Sequence, residues 1–173
     1  APSFSVTERS LWALDVLLEE GYRYDASIFP IRHDRYGIPD APRWPHAMAR
    51  AGGSLFEVPG STVRLGGTNL PVAGGGYFRI LPYAWTRWGI ARLNQVEGQP
   101  AIFYLHPWEV DPCQPRVRAN WLSRFRHYTN LNGCEARLRK LLGEFRFAPV
   151  RDVLEAQGWI RDGQVANRDD AAA

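Results

Sequence analysis

Ala101-Ile102-Phe103-Tyr104-Leu105-His106-Pro107-Trp108-Glu109 is the stretch on which the fold turns: an unbroken apolar and aromatic run that ends in a histidine and a proline. Glu97-Gly98-Gln99-Pro100 before it is turn-forming. A run of this kind fits a strand buried on both faces of a parallel sheet, and periodicity alone leaves a short buried helix open. Pro107 closes the strand. In α/β folds, reactive groups gather at the carboxyl ends of strands, where the following loops converge. His106 stands at such an end, either as a functional imidazole or as a loop histidine satisfied locally.

Working back toward the N-terminus, Pro82 suits the first turn of a helix carrying Leu81, Trp85, Trp88 and Arg92 near one face. This helix leads into the His106 strand. Earlier still, Thr7 is an N-cap, and Leu11, Leu14, Leu17 and Leu18 keep helical spacing until Gly21. Tyr22-Arg23-Tyr24 then reads as a short strand that places Asp25 at its end, as His106 is placed at its own. Two helix-then-strand units indicate an α/β architecture. Between Ile28 and Gly53, Pro30, Pro39, Pro42 and Pro45 argue against regular structure, while Phe29, Tyr36 and Trp44 argue for a packed cover. Leu55–Pro59 and Ser61–Leu65 read as strands, and Gly66-Gly67 and Gly74-Gly75-Gly76 call for tight turns or close backbone approach. Beyond Asp111 comes an arginine-rich segment, then an amphipathic helix with Leu138, Leu141, Leu142 and Phe145. Phe145–Pro149 follows with strand-like alternation, and a last short helix is closed by Gly158.

Composition narrows the function. The chain has 173 residues, 45% of them hydrophobic, and a net charge of +3. That describes a globular domain with a real core. Apart from Arg116, Arg118, Arg124 and Arg126 the basic residues are dispersed, so a nucleic-acid partner is not expected. No apolar stretch reaches the roughly 18 residues needed to cross a bilayer. Cys113 and Cys134 leave a reduced pair and a disulfide equally open. Neither glycine cluster matches a phosphate loop, no serine has a nucleophile-elbow context, and the four histidines show no H-x-x-x-H spacing.

What remains is acid–base chemistry. A carboxylate beside an imidazole fixes its tautomer and favours its charged form, so that the ring can donate a proton to a leaving group. Asp25 and His106 form that pair if they share a rim; otherwise Asp25 only caps the turn at Ser27. Trp44, Tyr77, Trp108 and Trp121 have flat faces suited to stacking on sugars, Trp108 reading equally as rim or core, whereas Trp85 and Trp88 read as core.

Ala1–Ser5, Tyr24–Pro30, Gly74–Arg79 and Phe103–Glu109, in that order and spacing, together resemble the polysaccharide deacetylases of the NodB-homology, carbohydrate esterase type, in the branch found beside exosortase and exopolysaccharide systems of bacteria. The likeness runs through Arg124–Tyr128, which is similar to that branch's C-terminal extension. It implies a distorted (β/α) barrel and hydrolysis of N-acetyl groups on a polysaccharide, with a divalent metal, usually zinc, activating water. It also implies that His106 is the general acid and that Asp25 is the carboxylate orienting it. The resemblance further implies that Leu105 lines the acetyl-methyl pocket and that Ser3 offers a backbone N–H to the oxyanion, and Phe4, Trp108 and Tyr77 are expected to lie against substrate. The aspartates and the H-x-x-x-H pair that hold the metal in the family have no counterpart here. The chain therefore reads as the C-terminal part of such an enzyme, starting within its third motif and missing the N-terminal half of the barrel. By the same reading, residues 1–111 belong to the barrel, 112–165 to an extension packed on it, and 166–173 to a disordered tail. An alternative is a non-catalytic carbohydrate-binding or assembly module derived from the same barrel.

Overall fold

The computed structural model describes residues 4–72, 74–161 and 164–165. Ser3 and the tail from 166 onward lie outside the described residues. The fold is mixed α/β with small sheets. It forms two compact units, Ala1–Leu70 with Ala148–Ala173, and Pro71–Phe147, so residues 112–147 belong with those just before them.

In the first unit a 3-10 turn, Glu8–Ser10, leads toward helix α1, Ala13–Glu19. Its Leu14 and Leu18 are buried. Strand β1, Tyr24–Asp25, runs parallel to β3, Gly53–Glu57, and β2, His46–Arg50, pairs antiparallel on the other edge of β3. Val6, Leu14, Ile28, Ile38 and Leu55 form the core here, with Leu11, Leu17, Ala41 and Met48 packed on it. Thr62–Leu65 (β4) and Thr68–Pro71 (β5) make a hairpin whose two-residue turn, Gly66-Gly67, has both φ angles positive, at 53° and 82°. That turn matches the twist of the paired strands and favours glycine at both places. After the second unit the chain returns as helix α6, Val150–Ala156, and a short antiparallel pair, β6 (Ile160–Arg161) with β7 (Gln164–Val165).

β2 lies inside the stretch expected to be irregular. The prolines stop at Pro45, and the five residues that follow alternate between half-buried and exposed, held by pairing to β3. Of the three aromatics expected to pack a cover, Phe29 and Tyr36 stack with centroids 6.2 Å apart, Tyr36 stacks on His33 at 3.8 Å and Phe4 packs on both Phe29 and Tyr36, while Trp44 lies under the Arg43 guanidinium instead. A Cβ at Gly37, whose φ is +97°, would run into the Ile31 carbonyl, so the loop closes this tightly only with glycine there.

The second unit is helical: α2 (Gly75–Ile80), α3 (Tyr83–Gln95), α4 (Trp121–Tyr128) and α5 (Leu131–Glu144). Phe78, Ile90, Cys134 and Leu141 form its buried centre. Here the strand expected at residues 101–105 is corrected. The segment is extended but makes a single isolated parallel bridge, Gly74 to Tyr104, and every residue of it is half-buried. Its apolar side chains serve helices instead of a sheet: Ala101, Phe103 and Leu105 pack on the helical core, with Phe103 edge-on to Phe78 at 5.0 Å. Trp88 is likewise no core residue. The buried stripe of α3 is Thr86, Gly89, Ile90 and Leu93, a helical i, i+3, i+4, i+7 set, and Trp88 is exposed. Phe145–Pro149, expected to be strand-like, forms no strand. No helix among the described residues is long and apolar enough to cross a membrane.

Candidate functional site

The glycine triplet delivers the site. Gly74 (φ +110°) and Gly75 (φ +57°) lie so close to Tyr104 that a Cβ on the first would strike its carbonyl and one on the second its ring. The Gly75 N–H donates to the Tyr104 carbonyl oxygen at 3.0 Å. This contact ties the N-terminus of α2 to the segment that carries Leu105 and His106. Burial raises the Tyr104 phenol well above its ordinary value, so it stays protonated, with Tyr77 and Glu109 adding to the shift.

His106 then opens a short 3-10 turn, Pro107–Val110, and Glu109 stands at its third position. The Glu109 carboxylate reaches back: Oε2 accepts from the His106 backbone N–H at 3.0 Å and lies 3.0 Å from Nδ1 of the same ring. In return the Glu109 N–H donates to the His106 carbonyl at 2.9 Å. The other carboxylate oxygen, Oε1, accepts from Arg79 Nε at 2.8 Å. Arg79 comes from α2 and is itself fixed, donating to the Thr129 and Arg126 carbonyls at 2.7 and 2.9 Å. Those carbonyls belong to the C-terminal end of α4, where a cation is favoured. Arg79 and Glu109 are only 4% and 2% exposed, whereas the His106 side chain is 40% exposed.

The arrangement has one chemical consequence. A carboxylate oxygen accepts only, so the neutral ring facing it places its proton on Nδ1 and leaves Nε2 for an outside partner. Trp108 stacks on the ring with centroids 4.3 Å apart, Tyr104 meets it edge-on at 5.8 Å, and Trp108 is itself exposed. The imidazole is thus aimed, braced on one nitrogen, with no hydrogen-bond partner on the other among the described residues. Leu105 sits beside it, packed on the core. Tyr77, half-buried on α2, belongs to the same unit.

Asp25 lies in the first unit. Its Oδ1 accepts from Ser27 Oγ at 2.7 Å and its Oδ2 from the Ser27 N–H at 3.2 Å, which is the turn-capping role. Asp25 is also in register with Glu57 of β3, which is in register with His46 of β2. Glu57 is fully buried, and the Ile28 N–H donates to its Oε1 at 3.0 Å. Burial, offset in part by that N–H and reinforced by the Asp25 charge and hydrogen bond, pushes Glu57 up to about 9. At neutral pH it is therefore a carboxylic acid, and its Oε2 is buried with no hydrogen-bond partner among the described residues. Phe4, also in this unit, packs on Phe29 and Tyr36.

Reading residues alone missed Glu109, Arg79 and Glu57. The first was detectable: a capping residue followed three places later by Glu is the capping-box spacing, and here it fixes a histidine. Arg79 and Glu57 carry no such local mark.

The site is thus a solvent-facing imidazole with a buried carboxylate behind it and a buried arginine behind that, in the helical second unit. Residues 26–155 match the family model described as Domain of unknown function (DUF3473), and the chain belongs to that family. No curated protein and no solved structure matches it.

Proposed function

We propose that this chain supplies the general-acid side of a metal-dependent carbohydrate N-deacetylase of the polysaccharide deacetylase type. It would form part of a distorted (β/α) barrel acting on an N-acetylated polysaccharide in bacterial exopolysaccharide metabolism. The observation that carries the proposal is the Arg79–Glu109–His106 chain of contacts, which leaves Nε2 of a half-exposed imidazole as the proton-exchanging atom. In amide hydrolysis the departing amine must be protonated as its C–N bond breaks, and a positioned imidazolium does this. His106 Nε2 gives the proton, and Glu109 holds the ring in place while its charge changes. Leu105 offers an apolar contact for the acetyl methyl, and the exposed Trp108 beside the ring offers a face for the sugar.

Among the described residues, no group of three or more His, Cys, Asp or Glu could hold a metal ion. The divalent ion, zinc by resemblance, would be held by residues outside this chain.

The test is acetate release from N-acetylated oligosaccharides by the intact gene product loaded with zinc. His106→Ala should reduce turnover by about 10²–10⁴-fold, the range of general acid–base catalysis, with zinc content unchanged. Loss of zinc in that variant would make His106 a ligand and overturn its role. An intact protein that binds the oligosaccharide but releases no acetate would favour the non-catalytic module.

A further inference from the structure

The first unit holds a cavity of about 470 Å³ that none of the chemistry above uses. Its walls come from the loop around Pro30–Arg32, the turn at Pro39–Trp44 and the β4–β5 hairpin. Charge is its main character: Arg32, Arg43 and Arg64 line it against a single acid, Asp40. Arg32 and Arg64 are exposed at the rim, and neither has an ion-pair partner among the described residues. Arg43 is built in. Its Nε donates to Thr62 Oγ1 at 3.2 Å, its Nη2 donates to the Thr62 carbonyl at 2.6 Å, and its guanidinium lies over the Trp44 ring, 4.3 Å from the centroid.

The walls are held as firmly as the charges. Asn69 Nδ2 donates to the Pro30 carbonyl at 2.9 Å and to the Pro39 carbonyl at 3.4 Å, stapling both loop segments to β5. These two donations fix which way the amide faces, so Oδ1 is the acceptor. That oxygen is buried and has no hydrogen-bond partner among the described residues. Trp44, with Pro39 and Pro42 beside it, adds flat apolar surface to the same walls.

We infer that this cavity binds a carboxylated saccharide unit, a sugar acid within or beside the polysaccharide on which the proposed enzyme acts. Planar guanidinium groups match the fork of a carboxylate, and the volume lies in the range of small-ligand sites. Trp44 and the prolines suit the C–H face of a pyranose. The choice of a saccharide rests on the function proposed above; the preference for an anion rests on the arginines alone.

Calorimetric titration of the full chain with a trimer of galacturonic acid, with chitotriose as the neutral counterpart and with sodium sulfate, tests this. The acidic trimer should bind at least about tenfold more tightly than chitotriose, weakening with added salt. Arg32→Ala and Arg64→Ala, both at exposed positions, should each lower that affinity severalfold while leaving the unfolding midpoint unchanged. His106→Ala should leave it untouched. Equal binding of the two trimers, no effect of either arginine variant, or sulfate binding as tightly as the acidic trimer would overturn the inference. Acidic-trimer binding without any acetate release would sustain it and refute the deacetylase instead, whereas acetate release with no preference for acidic sugars would do the reverse.

Discussion

Replacing Glu109 by Gln keeps the shape of the side chain and removes what its position demands. Glu109 faces three donors: Arg79 Nε on one oxygen, and the backbone N–H and ring Nδ1 of His106 on the other. A glutamine amide has one acceptor and one donor end. With its oxygen toward Arg79, its NH₂ confronts two further donors; reversed, it confronts a buried guanidinium. The cost lies between that of one buried unsatisfied donor, about 1–3 kcal/mol, and that of a broken buried ion pair, about 3–5 kcal/mol. Arg79 keeps its two carbonyl partners and His106 is partly hydrated, so about 3 kcal/mol is expected. For a chain of this size that lowers the thermal midpoint by about 6–12 °C. Glu135→Gln, which breaks an exposed i,i+4 pair with Arg139, is the control and should cost under about 1 kcal/mol. Differential scanning calorimetry of both variants decides the matter: equal midpoints would mean that the buried carboxylate does not hold the site together.

Two further outcomes can be checked separately. Glu57 gains its proton in the fold because burial raises it to about 9. The stability this confers is fully present below the ordinary carboxyl value of 4.5 and drains away as pH rises through that window. Since Glu57→Gln does not titrate, the stability difference between wild type and variant should shrink by at most roughly 1.4 kcal/mol per pH unit from pH 5 to 9; parallel urea-denaturation series would contradict the buried acid. Gly74→Ala forces a Cβ at φ +110° against the Tyr104 carbonyl. It should cost about 2 kcal/mol or more and perturb the amide signals of residues 104–106, and an unperturbed spectrum would mean that this approach does not position His106.

The sequence carried the local signals faithfully and the long-range ones poorly. Pro82 marks the start of α3 and Gly158 marks the stop after α6, because caps and helix stops are decided within a few residues. The Gly66-Gly67 turn and the close approach of Gly74 and Gly75 were legible for the same reason. Residues 101–105 were not, since an apolar run packs equally well between helices or within a sheet, and only the neighbours decide. β2 hides behind four prolines because its order comes from the register with β3. At the site, His106 stood out by its place after an apolar run, whereas Arg79 reaches Glu109 across 30 residues of chain and Glu57 meets Asp25 across two strands. Such pairings leave no periodic trace.

The tautomer of His106 tests the central claim most directly. Long-range ¹H–¹⁵N correlation spectroscopy on the imidazole, at a pH where the ring is neutral, reports which nitrogen bears the proton. The expected result is a protonated Nδ1 and a bare Nε2, changing to a mixture in Glu109→Gln. A wild-type ring protonated on Nε2 would contradict it, because the carboxylate would then not be orienting the imidazole for proton exchange.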